Sequence, residues 1–382
     1  MPDKPPILIT DFQALADLIE RISAARRVAM DTESASFHRY RDRVYLIQLS
    51  SQEEDAVVDP LALDNLEPLE RLLADGSVEK VFHDADYDLR VLNRDYGFSA
   101  RNIFDTRIAA QLLGEPSVSL AGLLHKYFGV ELDKRLQRAD WSVRPLPEAM
   151  LAYAVTDTKY LLPLRDRLKE RLEEAGRWEW AKEEFSRLEG IRWSAEDREG
   201  PLYRRVKGSG KLSPIERGVL EALLRWREEA ARSADRPPFK IITNEALIEI
   251  ARRRPRNAEA LLRIPRVPKK LASRYRDELL QAVAAGLASP PAEPPDQSTR
   301  KRRSPRLDAP AKKRLENLKS LRDRRARELG MDPGLLCSNA TLQAIALHNP
   351  KREEDLDRIQ DLRKWQRSLL GDREIFAALE ES

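Results

Sequence analysis

The chain has little cysteine and no long apolar run. Cys337 is the only cysteine in 382 residues, so no disulfide can form within the chain and no cluster of thiolates can bind a metal. No stretch approaches the roughly 20 apolar residues that span a bilayer, and residues 1–6 contain no apolar signal core. These absences predict a protein of the reducing cytoplasm without a membrane partner.

The net charge is also small. It is +4 at neutral pH, because 68 basic residues nearly balance 64 acidic ones. Overall charge therefore does not demand a nucleic-acid partner, which must be argued from local clusters. What the chain has in quantity is charged side chains, 35% of the residues, beside 41% hydrophobic residues. This balance is typical of a protein with cores and a polar surface, with room for two or three domains.

Strand and helix patterns alternate over the first part of the chain. Apolar runs predict strands at 28–33, 44–49, 56–58 and 80–82, with helical periodicity between or after them. From residue 106 to about 188 the pattern is helical. Strands that come first and then alternate with helices predict an α/β architecture, a mixed sheet with helices packed on it.

Capping and proline signals predict several helix ends. Asp11 is expected to cap a helix that begins at Phe12, and Asp105 a helix that begins at Thr106. Because capping accounts for Asp105, it is left outside any candidate site. Pro163 predicts a boundary or kink in the helical stretch 150–168.

The second half of the chain contains an internal repeat. A glycine-containing segment at 200–210 is interpreted as an interdomain link, and a displacement of 95 residues then aligns two helical stretches without a gap. Matched pairs include Leu220 and Leu315, Arg227 and Arg322, Pro238 and Pro333, Asn244 and Asn339, and Ile250 and Ile345. The register predicts two copies of one helical module.

A proline run and a basic cluster separate the two copies. Prolines at 290–295 favour an extended chain, and the basic cluster at 300–306 cannot bury itself, so the segment is predicted to be a tethering linker. The basic cluster is interpreted either as a phosphate contact or as a solvated charge run.

Asp31 and Glu33 end an apolar run and stand one residue apart. On a strand they point to one face, where each raises the pKa of the other unless a cation lies between them. Hard divalent cations prefer such oxygen ligands. An isolated Asp-x-Glu is more often a solvated strand end, so a metal site requires partners elsewhere in the chain.

Two further acidic stretches supply such partners. Asp84, Asp86 and Asp88 lie where a strand gives way to a helix, and spacing alone does not choose among them. Tyr153 and Asp157 are four residues apart, so on one helix they face the same way. About four carboxylates around two cations suit phosphodiester cleavage, in which a tyrosine can orient the attacking water. Alternatively, Tyr153 is a core aromatic residue with its hydroxyl at the surface.

The order of these motifs resembles the exonuclease superfamily that has four acidic ligands and a tyrosine, and the surrounding sequence is similar to the ribonuclease D family. The segments that carry this resemblance are 30–33, 46–49, 104–106, 139–141, 144–146 and 153–162. Residues 212–285 resemble the helical HRDC module of that family, with Trp226 and Arg227 among its hallmarks. The second copy has Leu321 in place of Trp226.

The resemblance implies a fold and a domain order. The expected architecture is an α/β ribonuclease-H-like exonuclease domain at 1–200, followed by two all-α helical-bundle domains of HRDC type. The first helical domain is expected at 211–286 and the second at 312–382, with the proline-rich basic linker at 287–311.

The resemblance also implies an activity. We expect a cytoplasmic 3′–5′ exoribonuclease that trims structured RNA such as tRNA precursors to nucleoside 5′-monophosphates, with both helical modules gripping the RNA and no obligate protein partner. The implied ligands of two divalent metal ions, Mg2+ or Mn2+, are Asp31, Glu33, Asp88 and Asp157. Tyr153 is the implied water-positioning residue.

Two rival functions remain open at this point. A 3′–5′ DNA exonuclease would use the same site, since relatives that share the motifs act on DNA. A non-catalytic nucleic-acid-binding protein would act through the helical modules, but the intact acidic set argues against it.

Overall fold

The computed structural model of the chain describes residues 5–133, 135–194, 200–288 and 307–380. Among these residues, no helix is both long and apolar enough to cross a membrane. Residues 289–306 of the predicted linker, with the basic cluster at 300–306, lie outside the described residues, and its last three residues belong to a helix that begins at Ala309.

A mixed six-stranded sheet forms the centre of the N-terminal region. Its strands are β1 (Ile7–Ile9), β2 (Arg27–Ser34), β3 (Val44–Ser50), β4 (Asp55–Val58), β5 (Glu79–Phe82) and β6 (Ile103–Asp105). Their order across the sheet is β1-β4-β3-β2-β5-β6. The pairs β2–β3 and β3–β4 are antiparallel, and the other pairs are parallel. The predicted mixed sheet is therefore confirmed.

Helices cover both faces of this sheet. They are α1 (Phe12–Ala25), α2 (Glu67–Ala74), α3 (Asp86–Tyr96), α4 (Thr106–Leu113), α5 (Leu120–Phe128), α6 (Glu148–Ala154), α7 (Thr156–Lys159), α8 (Leu161–Glu174) and α9 (Trp178–Leu188). Along β2 the side chains alternate between the faces, so that Val28 and Met30 pack with α1–α3 and Ala29 packs with α4, α8 and α9. The predicted caps at Asp11 and Asp105 are confirmed, because each side chain accepts hydrogen bonds from the first turn of its helix.

The helical stretch predicted at 150–168 is divided into three helices, α6 to α8. The breaks fall at Val155 and Tyr160. Pro163 lies within the first turn of α8, where its missing N–H group needs no helical partner. The expected boundary at Pro163 is therefore wrong in position.

The rest of the described chain is helical and contains the two predicted copies. The first comprises α10 (Pro214–Ser233), α11 (Pro238–Ile241), α12 (Asn244–Arg253), α13 (Ala258–Leu262), α14 (Lys269–Arg274) and α15 (Arg276–Ala288). The second comprises α16 (Ala309–Leu329), α17 (Pro333–Leu336), α18 (Asn339–His348), α19 (Glu353–Leu356), α20 (Lys364–Leu370) and α21 (Asp372–Glu380). Each helix of the first copy has a counterpart in the second.

One buried arginine shows that the repeat is structural. Arg227 of α10 donates to the Ile242 carbonyl at 3.2 Å and to Asn244 Oδ1 at 2.8 Å. Its counterpart 95 residues later, Arg322 of α16, donates to the Cys337 carbonyl at 3.0 Å and to the Asn339 amide oxygen at 2.9 Å. Both arginines join the long first helix to the segment before the third helix, so the repeat is confirmed.

The segment 200–210, interpreted from sequence as a link, folds onto the first copy. It contains two short 3-10 helices, Leu202–Arg205 and Ser209–Lys211. Tyr203 and Val206 are buried in the same core as α10 and α12. The core of the first copy thus includes residues upstream of residue 211, the predicted start of this domain. The predicted domain limits stay predictions.

The second copy is braced against α9 of the N-terminal region. The rings of Trp180 and Trp365 stack, with centroids 5.4 Å apart and an interplanar angle of 16°. Glu183 accepts hydrogen bonds from the backbone N–H groups of Lys364 and Trp365 at the start of α20. Glu184 accepts from the indole N–H group of Trp365. The N-terminus of α20 is therefore occupied by side chains of the same chain.

Candidate active site

Strand β2 carries Asp31 and Glu33 past the end of its parallel neighbour. Its pairing with β5 covers only Arg27 to Ala29, whereas its pairing with β3 continues to Ser34. The carboxyl end of β2 is therefore open on the β5 side. The expectation that Asp31 and Glu33 share one face at a strand end is confirmed.

Helix α7 brings Asp157 to the same face. The Thr158 hydroxyl lies 2.7 Å from the Ser50 hydroxyl at the end of β3, and both groups are buried. This bond holds α7 on β2 and β3. One carboxylate oxygen each from Asp31, Glu33 and Asp157 lies within 4.8 Å of the other two. Three oxygens at such separations can hold one cation between them.

Asp88 reaches the strand end from the other side. It lies in the first turn of α3 and is only 6% exposed. Its Oδ1 atom accepts hydrogen bonds from the Thr32 backbone N–H at 3.1 Å and from the Thr32 hydroxyl at 2.5 Å. Because Thr32 points to the face opposite Asp31 and Glu33, Asp88 lies beside their group rather than within it.

The other two acidic residues of this stretch point away from β2. Asp84 forms an ion pair with Arg107 at 2.6 Å, and Asp86 forms one with Arg90 at 2.6 Å. Of the three carboxylates that spacing left open, the structure brings only Asp88 to β2.

The carboxylates of the cluster raise one another's proton affinity. Burial raises the pKa of Asp31 well above its usual value, and the charges of Asp88, Glu33 and Asp157 raise it further. Burial and the charges of Asp157 and Asp88 act in the same way on the pKa of Glu33. Burial raises the pKa of Asp88 to about 7 and that of Asp157 to about 6. Within the described chain, none of the four forms an ion pair with lysine or arginine.

This donor set fits a hard divalent cation. Clustered carboxylate oxygens with no cationic side chain beside them are the ligands that such ions prefer. A bound cation would also favour the ionised form of every carboxylate around it. The cluster can therefore hold divalent metal.

Tyr153 lies beside the cluster but not on the helix that carries Asp157. It is near the end of α6, and Val155 separates α6 from α7. Its ring packs against Trp141, with centroids 6.1 Å apart. Burial and the charges of Asp157 and Glu33 raise the pKa of its hydroxyl. Its phenol is thus a protonated hydrogen-bond donor.

Residues that hold the carboxylates were not singled out from sequence. Thr32 fixes Asp88, while Ser50 and Thr158 fix the helix of Asp157. Gln48, paired with Asp31 across β2 and β3, is fully buried, and its amide atoms have no hydrogen-bond partner in the described chain. A polar residue inside an apolar strand was the available signal for Gln48 and Ser50.

Comparisons with known proteins identify the family and its domains. A family model described as 3′-5′ exonuclease matches residues 6–173, and the HRDC domain model matches residues 216–283 and 311–379. Ribonuclease D of Desulfotalea psychrophila is 33% identical over 340 residues, which cover 88% of this chain and 90% of the relative. Ribonuclease D of Gluconacetobacter diazotrophicus is 34% identical over 373 residues, 97% of this chain and 92% of the relative.

A solved structure of the same family is similar over the whole chain. The crystal structure of Escherichia coli RNase D, an exoribonuclease involved in structured RNA processing, is similar with a TM-score of 0.69 and 26% identity. The match covers 99% of each chain.

In EDTA at pH 8, we expect Asp31→Asn to unfold at a higher temperature than the wild-type protein. The amide removes a carboxyl group whose ionised form is disfavoured by burial and by the neighbouring charges, a gain on the order of 1 kcal/mol. The gain should shrink towards pH 5. The pKa values of folded Asp88 and Asp157, about 7 and about 6, exceed the usual 3.8, so protonation relieves the repulsion as the pH falls, and stability is lost as it rises. Thermal unfolding between pH 5 and 8 measures both effects.

Asp84→Asn is the matched control, because Asp84 is an exposed carboxylate of the same stretch and pairs with Arg107. It should show no gain in stability. A loss of stability for Asp31→Asn in EDTA at pH 8 would contradict the repulsion.

Proposed function

As a member of the ribonuclease D family, this chain is a 3′–5′ exoribonuclease, and we propose that it trims the 3′ ends of structured RNAs such as tRNA precursors, releasing nucleoside 5′-monophosphates. The observation that carries the proposal is the half-buried carboxylate cluster at the open end of β2, which has no cationic partner in the described chain. Cations bound there would relieve the repulsion among its carboxylates.

Each carboxylate has a proposed role in this cluster. Asp31, Glu33 and Asp157 would hold one metal ion among their oxygens, and Asp88 would complete the set from α3, with Thr32 fixing its orientation. Two divalent ions, Mg2+ or Mn2+, bound there would stabilise negative charge on the attacking and leaving oxygens of the phosphodiester.

Tyr153 positions the attacking water in this proposal. Its protonated hydroxyl donates a hydrogen bond, and the packing of its ring against the buried Trp141 limits its movement. Water held in this way approaches phosphorus in line with the 3′-oxygen. The bond between phosphorus and that oxygen breaks, so the last nucleotide leaves with a 5′-phosphate and the RNA keeps a 3′-hydroxyl.

The two helical copies differ in charge where they would meet RNA. Residues 252–274 of the first copy contain nine basic residues and one acidic residue, and all nine basic side chains are exposed. The matching residues 347–369 of the second copy contain six basic and five acidic residues. The expectation that both copies grip RNA is therefore narrowed: we assign phosphate binding to the first copy and a bracing role to the second.

Asp31→Asn should abolish trimming while RNA is still bound. Losing several kcal/mol of transition-state stabilisation lowers the rate on the order of a thousandfold. Single-turnover trimming of a 5′-labelled RNA gives the rate, and a binding titration gives the affinity. Asp84→Asn serves again as control and should trim normally. Wild-type activity of Asp31→Asn would refute the ligand assignment.

Tyr153→Phe should lower the trimming rate by roughly 10²- to 10⁴-fold, the usual range for a group that manages the proton or position of a nucleophile. Tyr160→Phe is the control, because Tyr160 is also half-buried and stacks on Phe128. If both variants keep the wild-type rate under saturating RNA, Tyr153 has only a packing role.

Replacing Arg256 and Lys269 together by alanine should weaken RNA binding and make it less dependent on salt. Removing one phosphate-binding cation lowers the slope of log affinity against log salt by about 0.7 for single strands, so the slope of the double variant should be smaller by about 1.4. Fluorescence anisotropy over a salt titration measures the slope. The matched control replaces Lys351 and Lys364, which occupy the same positions of the second copy. Equal changes in both variants would contradict the division of roles.

A further inference from the structure

Two phenylalanine rings from different parts of the chain meet at the surface. Phe37 follows β2, and Phe239 belongs to α11 of the first helical copy. Their centroids are 6.1 Å apart at an interplanar angle of 75°, an edge-to-face contact. Phe37 is nevertheless 46% exposed and Phe239 is 51% exposed. The contact therefore leaves much of both rings open to solvent.

The turn that carries Phe37 stays close to the carboxylate cluster. Phe37 is four residues after Glu33, so their Cα atoms are at most roughly 14 Å apart even along a fully extended chain. The turn is fixed by a 2.8 Å hydrogen bond from the His38 backbone N–H to the Ala35 carbonyl. Arg39 Nε donates to the Ser142 hydroxyl at 2.5 Å, which ties the turn to the segment before Tyr153.

Asp235 fixes the first helical copy at this turn. Its carboxylate accepts a hydrogen bond from the Tyr40 backbone N–H at 3.2 Å and forms an ion pair with Arg39 at 2.9 Å. Arg232 lies over the Tyr40 ring, 5.7 Å from the centroid. Phe239 comes four residues after Asp235, so these contacts determine where its ring lies. The first helical copy therefore contributes a side chain to the turn that follows Glu33.

One cationic side chain lies over the Phe37 ring, and two more are close to the rings in sequence. The Arg138 guanidinium lies 5.2 Å from the centroid of Phe37. Lys240 follows Phe239 and is exposed, and so is Arg41 in the loop after Phe37. Exposed aromatic rings flanked by cations bind single-stranded nucleic acid, because bases stack on the rings and phosphates meet the charges. Covering the Arg138 guanidinium with an apolar protein partner would be unfavourable, because a buried charge needs a polar partner.

We propose that Phe37 and Phe239 form a stacking platform for one base of the single-stranded 3′ end of the RNA, a few nucleotides upstream of the scissile bond. This inference rests on the proposed function and names a contact that the carboxylate cluster does not provide. The first helical copy then supplies part of the substrate site itself, besides phosphate contacts at a distance.

The test compares Phe239→Ala with Phe12→Ala. Phe12 is 43% exposed and lies at the start of α1, so its removal changes surface apolarity by the same amount elsewhere. Binding of single-stranded RNA is measured in the Asp31→Asn background to prevent hydrolysis. The loss of one stacked base predicts a Kd roughly 5- to 100-fold higher for Phe239→Ala and an unchanged Kd for Phe12→Ala.

An abasic scan identifies stacking as the cause. Oligonucleotides that lack one base at each position in turn are bound to both proteins of the Asp31→Asn background, with and without Phe239→Ala. At one position, the missing base should weaken binding by the protein that has Phe239 and leave binding by the Phe239→Ala protein unchanged. The two proteins should then bind that oligonucleotide with equal affinity. Phe239→Trp should restore the affinity, and Phe239→Leu, which keeps apolar volume at the contact, should not.

Other outcomes overturn the platform. A Kd for Phe239→Ala equal to that of Phe12→Ala would show that the rings only join the two regions. A loss that is the same at every abasic position would show a backbone contact instead of a stacked base. Absence of RNA trimming by the wild-type protein would refute the proposed function. The binding data would still show whether a base stacks on the two rings.

Discussion

The central constraint on this structure is the repulsion among half-buried carboxylates, which no lysine or arginine of the described chain relieves. Asp31, Glu33 and Asp157 place oxygens within 4.8 Å of one another, and Asp88 lies close enough for its charge to raise the pKa of Asp31. Folding must therefore hold like charges together in an environment that favours their neutral forms. Several structural features serve this purpose. Strand β2 extends past β5, Thr32 fixes Asp88, and the bond between Ser50 and Thr158 fixes α7.

The turn that follows the same strand end contacts the first helical copy. The turn after Glu33 is held by Asp235 of the first helical copy, whereas the second copy is braced on α9 through the stacked rings of Trp180 and Trp365. The two copies also differ in charge. Residues 252–274 of the first copy contain nine exposed basic residues and one acidic residue, whereas the matching residues 347–369 of the second copy contain six basic and five acidic residues. One copy of the repeated module thus presents exposed basic side chains, and the other packs against α9 of the N-terminal region.

Sequence patterns predicted the features that depend on local rules. Alternation along a strand placed Asp31 and Glu33 on one face, and the 95-residue register predicted the equivalence of Arg227 and Arg322. Contacts between distant segments were beyond such rules. Asp88 was chosen over its neighbours by resemblance and not by spacing, since the bond to Thr32 joins two elements 56 residues apart. The breaks at Val155 and Tyr160 were missed because helical periodicity continues across them, and the pair of Phe37 and Phe239 exists only in the folded chain.

The most direct measurement identifies what the wild-type protein releases from a 3′-extended tRNA and from a DNA of matched sequence, with Mg2+ and with EDTA. If cations at the carboxylate cluster hydrolyse RNA from its 3′ end, nucleoside 5′-monophosphates appear from the RNA in Mg2+, the 5′-labelled RNA shortens one nucleotide at a time, and EDTA stops both. Release of the same products in EDTA, of nucleoside 3′-monophosphates, or of nucleotides from the DNA alone would contradict the account.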